Sequence, residues 1–139
     1  MADTYKLWLA LTLADGYIQQ GIPYKWNGKT PRGFDCSGLV CEILQSVGIL
    51  PDGTTLNSRG LYNHFASTQV EKIQAGCLLF FGKPKISHVA MAIDDELMIE
   101  AGGGGSTTKN LADAILKRAF VRRRRIDRRS DLVAICNPF

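Results

Sequence analysis

Histidine is scarce in this chain: of 139 residues only His64 and His88 carry an imidazole, so any histidine-based proton transfer has two candidates. Cysteine is sparse as well. The four, at positions 36, 41, 77 and 136, have no C-x-x-C spacing, which excludes a zinc ribbon or a paired redox motif. Long apolar runs are missing too, and none reaches the ~18 residues that a membrane span requires. The stretch Leu7 to Ala14 is apolar but has no basic leader, because Asp3 offsets Lys6. Asp15-Gly16-Tyr17 stands where a small-residue cleavage site would be needed. The expectation is therefore a mature first helix in a soluble chain made in the cytoplasm, without an export signal of its own. No internal repeat is visible. Gly102 to Gly105 lacks the Lys-Ser/Thr of a P-loop and the surroundings of a dinucleotide fingerprint, so a phosphate cradle is disfavoured against a plain flexible run.

What is present fits one domain over residues 1–139, large enough to bury a core without disulfides. The formal net charge of +4 is unevenly spread, with Arg122, Arg123, Arg124, Arg125, Arg128 and Arg129 in one short segment. Such a run can attract an anionic polymer, or it can be a solvated basic face that blunts an exposed sheet edge; the second reading is preferred. No aromatic residues interleave these arginines, which weighs against nucleic acid as a partner.

Asp3 caps a helix over about 3–19 that Gly21 and Pro23 end. Asp35 caps a second, whose Leu39, Val40, Ile43, Leu44 and Val47 recur at helical spacing before Gly48. A short helix is expected over Asn57 to Phe65 and another at Leu111 to Lys117. Strands are expected at 77–81, 88–93, 97–101, 119–126 and 132–136. Helices first and strands afterwards imply an α+β fold with an antiparallel sheet. Cys41, Cys77 and Cys136 fall in apolar stripes and read as small core hydrophobes.

Cys36 is different. It sits at the start of the second helix, where free N–H groups and the helix dipole favour a thiolate, the nucleophilic form. It follows Pro23-Tyr24-Lys25-Trp26-Asn27-Gly28, part of an ordered loop rich in turn formers. His88 opens an alternating apolar run 52 residues further on and is the candidate base; His64 reads as a surface or groove residue. A base needs a third group to orient it. If strands 88–93 and 97–101 form a hairpin with a three-residue connection at 93–95, residue 92 faces 96, 90 faces 98, and His88 directly faces Glu100. A two-residue connection would put Glu100 opposite Val89, on the wrong face. Glu100 is thus either the orienting carboxylate or a solvated strand residue. The backbone N–H of Cys36 suits an oxyanion, and the Tyr24 hydroxyl could join it or simply pack. Trp26 lines a substrate groove or packs the loop; Ser37 positions substrate or merely occupies the first turn; Asp35 is a cap.

These residues, Tyr24-Lys25-Trp26-Asn27-Gly28, Asp35-Cys36-Ser37-Gly38-Leu39-Val40, and His88-Val89-Ala90-Met91-Ala92-Ile93 with the strand ending Glu100-Ala101, resemble the NlpC-type cell-wall cysteine peptidases, a papain-like family. The likeness runs from about residue 15 to 136. It implies N-terminal helices packed on an antiparallel sheet, Cys36 as nucleophile, His88 as base, Glu100 as orienting residue and Tyr24 near the oxyanion. It implies no metal or other cofactor. The substrate it implies is a peptidoglycan stem peptide, commonly cut between γ-D-glutamate and the next diamino acid. Two positions depart from the family's habit: Glu100 stands where His, Asn or Gln is frequent, and Asn27-Gly28 where a glycine pair is common. The chain looks most like versions encoded by phages and prophages, with virion or tail proteins as partners that deliver it to the wall. Rival expectations are a papain-like amidase or acyltransferase on another substrate, and a catalytically silent tail structural domain.

Overall fold

The computed structural model describes residues 3–139. Helix α1, Thr4–Gln20, starts where the Asp3 side chain accepts from the Lys6 N–H and stops at Gly21, whose φ of 63° is left-handed. A small hairpin, β1 (Lys29–Thr30) and β2 (Gly33–Phe34), follows. Next come α2 (Cys36–Ser46) and α3 (Ser58–Phe65), capped by Asp35 and Asn57. The rest is sheet: β3 (Leu78–Phe81), β4 (His88–Ala92), β5 (Leu97–Gly102), β6 (Phe120–Arg125) and β7 (Leu132–Cys136), with α4 (Leu111–Lys117) before β6.

The five strands are ordered β6-β5-β4-β3-β7, every pair antiparallel. Alternation along the strands sends side chains to two faces. On one face Val89, Met91, Ile99, Ala101 and Val121 join Leu39, Val40, Ile43 and Leu44 of α2 and Ala10 and Ala14 of α1 in the main core. On the other, Leu79, Phe81, Ala90, Ala92, Met98 and Ile126 form a smaller cluster. The helix and strand positions expected from capping and periodicity agree with these elements to within a residue or two at their ends. Cys41, Cys77 and Cys136 are buried, as their apolar surroundings imply.

One expectation needs correction. The β4–β5 pairs are Met91–Ile99 and Ala92–Met98, and Ile93 closes the hairpin by donating to the Leu97 carbonyl. The three-residue connection therefore lies at 94–96 rather than 93–95, where Asp94 accepts from the Glu96 and Leu97 N–H groups and fixes the turn. In this register Glu100 is level with Ala90, and Gly102 is level with His88. A slip of two residues preserves the face, so Glu100 and His88 still share one, as diagonal rather than direct neighbours.

Candidate active site

His88 opens β4 and Glu100 lies near the end of β5, so both fall at one end of the sheet. Cys36, the first residue of α2, meets them there, and the three line a single cleft of about 430 Å³. Asp35 makes that junction. Its carboxylate accepts from Gly38 N–H at 2.7 Å, which caps α2, and from Asn27 N–H at 3.1 Å, which anchors the preceding loop. Its own N–H donates to the Gly28 carbonyl at 3.1 Å. Gly38 is required because a Cβ there would collide with that carbonyl oxygen. Asn27, with φ of 60°, takes the left-handed turn that asparagine tolerates.

His88 Nε2 donates to Glu100 Oε1 at 2.8 Å. With Nε2 so engaged, Nδ1 is the ring nitrogen left for the Cys36 thiol, which lines the same cleft. Burial alone would favour neutral imidazole, but the Cys36 and Glu100 partners outweigh it and push His88 up to about 9. Glu100 is 1% exposed. Burial would raise its carboxyl, yet His88 and Arg122 together hold it down at about 2. A thiol, an imidazole and a carboxylate in this order can pass a proton from sulfur to nitrogen and stabilise the resulting imidazolium.

The diagonal reach from Glu100 to His88 depends on Gly102. A Cβ at that position would lie 2.6 Å from Glu100 Oε2 and 3.0 Å from Arg122 Nη2, so the missing side chain is the space that the carboxylate occupies. Gly104 similarly leaves room for the Tyr24 ring, and Gly102 to Gly105 form a thin wall of the cleft rather than a phosphate cradle.

Tyr24 is buried beside this wall. Burial, with the neighbouring Cys36 and Asp35, drives its phenol far above the usual range and keeps it a proton donor. Trp26, 43% exposed, stands on the rim. Ser37 lines the cleft, although its hydroxyl donates to Asp35 at 3.3 Å. His64 is exposed near the end of α3 and takes no part in the cleft.

The arginine run requires a second correction. β6 is an edge strand, as expected, but its arginines do not form one solvated face. Alternation turns Arg122 and Arg124 into the cleft, where both meet Glu100 Oε2, Arg122 through Nε at 2.9 Å and Arg124 through Nη1 at 3.3 Å. Arg123 and Arg125 turn away to Asp15 and Asp127. Arg129, paired with Asp131, also borders the cleft. Sequence reasoning missed Arg122 and Arg124; the period-two pattern of β6 opposite Glu100 was the signal that could have found them.

Comparison with known proteins gives the same outline. The profile of the NlpC/P60 family matches residues 21–125. The chain belongs to that family. It is 40% identical over 91 residues to a γ-D-glutamyl-L-lysine dipeptidyl-peptidase of Bacillus cereus, covering 62% of this chain and 26% of that protein. It is 32% identical over 107 residues to the peptidoglycan endopeptidase RipA of Mycolicibacterium smegmatis, covering 68% and 21%. The chain thus spans about a quarter of the length of these curated relatives. Among solved structures, the NlpC/p60 domain of the peptidoglycan hydrolase SagA superposes with a TM-score of 0.69 at 25% identity, over 94% of this chain and 97% of that one. This NlpC/P60 chain therefore has the papain-like α+β fold that its motifs imply. Among the described residues no helix is long and apolar enough to cross a membrane.

Proposed function

We propose that this NlpC/P60 chain is a cysteine peptidase that hydrolyses peptidoglycan stem peptides at the γ-D-glutamyl–diamino acid bond. The observation that carries the reading is the convergence of Cys36, His88 and Glu100 in one cleft, with the imidazole bonded to the carboxylate at 2.8 Å. The names of the relatives support the choice of substrate.

In this mechanism His88 takes the Cys36 proton through Nδ1, and the sulfur attacks the scissile carbonyl carbon. The oxyanion is met by the Cys36 backbone N–H, a helix-start donor without an intrahelical acceptor, and by the Tyr24 hydroxyl. Protonated His88 then gives its proton to the departing amine, which leaves an acyl group on sulfur. Water, deprotonated by the same imidazole, releases the acid and restores the thiol. Glu100 holds the ring in place throughout, while Trp26 and Ser37 border the path of the peptide. The resemblance to phage and prophage versions supports delivery by a virion or tail assembly. Detection of the chain by mass spectrometry in purified particles tests that part, and its absence from them rejects it.

The activity is tested by digesting purified sacculi with wild type and Cys36→Ala and weighing the released fragments. Wild type is expected to release peptides that begin at the diamino acid, and the variant none. Identical fragments from both would refute Cys36-dependent cleavage. Thiol-dependent hydrolysis of other amides with intact sacculi would instead favour the amidase alternative.

A further inference from the structure

Glu100 has more partners than orienting an imidazole requires. One oxygen accepts from His88; the other receives Arg122 through Nε and Nη2, both at 2.9 Å, and Arg124 at 3.3 Å. A lone buried carboxylate at hydrogen-bond distance from an imidazole would hold the proton on that ring strongly. Here the carboxylate is shared with two permanent cations, so the imidazole meets only part of its charge. The other groups around His88 are Cys36 on α2, and Arg129 paired with Asp131 ahead of β7. Gly102 leaves space for Glu100 and Arg122 together, which makes the two one built unit rather than a chance surface pair.

The geometry points to Arg122 as a positioning residue that acts through Glu100, fixing the carboxylate's rotamer and drawing off its charge, so that a glutamate can serve where a neutral partner is frequent. Arg124 assists from two residues further along β6. This inference rests on the reading of Cys36 and His88 as the reacting pair. It also separates Arg122 from an arginine kept only for substrate: its side chain lines the cleft, but its Nε and Nη2 are both bonded to Glu100.

The test compares wild type, Arg122→Gln, Glu100→Gln and the double variant, with Arg123→Gln as control because Arg123 turns away to Asp15. Two readouts are taken: steady-state hydrolysis of a γ-D-glutamyl-diamino acid peptide, and the titration of His88 followed by NMR. Arg122→Gln is expected to lower kcat about tenfold with KM within about twofold. It should move the His88 midpoint upward by roughly half a unit or more, because Glu100 regains its full charge. In the Glu100→Gln background the same substitution should change kcat by less than about twofold, the non-additivity of residues acting as a unit. Arg122→Lys, which keeps a charge but loses the second nitrogen, should fall between and serves if the glutamine variant folds poorly. A raised KM with unchanged kcat, additive effects with Glu100→Gln, or an unmoved His88 midpoint would each overturn the inference. The titration needs no turnover, so failure of the peptidase reading would show as an inactive wild type while the Arg122 result remained decisive.

Discussion

At the scale of single residues, Glu100 and its neighbours offer the sharpest tests. Glu100→Ala is expected to slow sacculus hydrolysis by roughly tenfold or more while the fold persists, since Arg122 and Arg124 are partly exposed and can turn to water. Unchanged turnover would remove Glu100 from the mechanism. Gly102→Ala should be at least as damaging, because its Cβ occupies the carboxylate's place; full activity in that variant would contradict the diagonal contact. The shifts at His88 and Glu100 also set a pH signature. His88 rises from 6.5 to about 9, so its contribution to stability is complete below 6.5 and lost as pH climbs toward 9. Glu100 falls from 4.5 to about 2, so its contribution is complete above 4.5 and lost as pH drops toward 2. Both are fully present only between about 4.5 and 6.5. Urea midpoints measured across pH should therefore fall on either side of that window in wild type, and fall less steeply in Glu100→Gln. Parallel curves for the two proteins would show that the pair contributes no linked stability.

At the scale of elements, the helices were legible because their caps are local. Asp3, Asp35 and Asn57 each announce a start, and a side chain bonding three residues ahead needs no tertiary partner. Strand positions were legible through alternation. Register was not, because moving β5 by two residues against β4 leaves every buried side chain on its proper face, and turn chemistry at Asp94 decides the matter. The glycines of 102–105 and the inward arginines were opaque for a related reason: their roles depend on which side chain lies across the sheet. The α2 junction offers a test at this scale. Asp35→Ala removes the cap and the tether to Asn27, and should cost about 1–2 kcal/mol in chemical denaturation. A loss below a few tenths would show that the loop holds α2 without it.

At the scale of the whole molecule, the arginine segment is largely met by acidic side chains. Five of the six arginines between 122 and 129 sit in ion pairs with Glu100, Asp15, Asp127 or Asp131. That segment therefore does not form an open polyanion track, and the protein should leave a heparin column at low salt. Retention into high salt would reinstate the segment as a polymer-binding surface. The same view isolates one thiol. All four cysteines are free, but Cys41, Cys77 and Cys136 are buried, while Cys36 is half-buried and lines the cleft that also holds His88 and Glu100. The most direct measurement is limited iodoacetamide treatment, with peptide mapping by mass spectrometry alongside sacculus hydrolysis. One carbamidomethyl group on Cys36 should accumulate in step with loss of activity, with Cys41, Cys77 and Cys136 unmodified. Full hydrolysis by protein labelled at Cys36 would contradict the account.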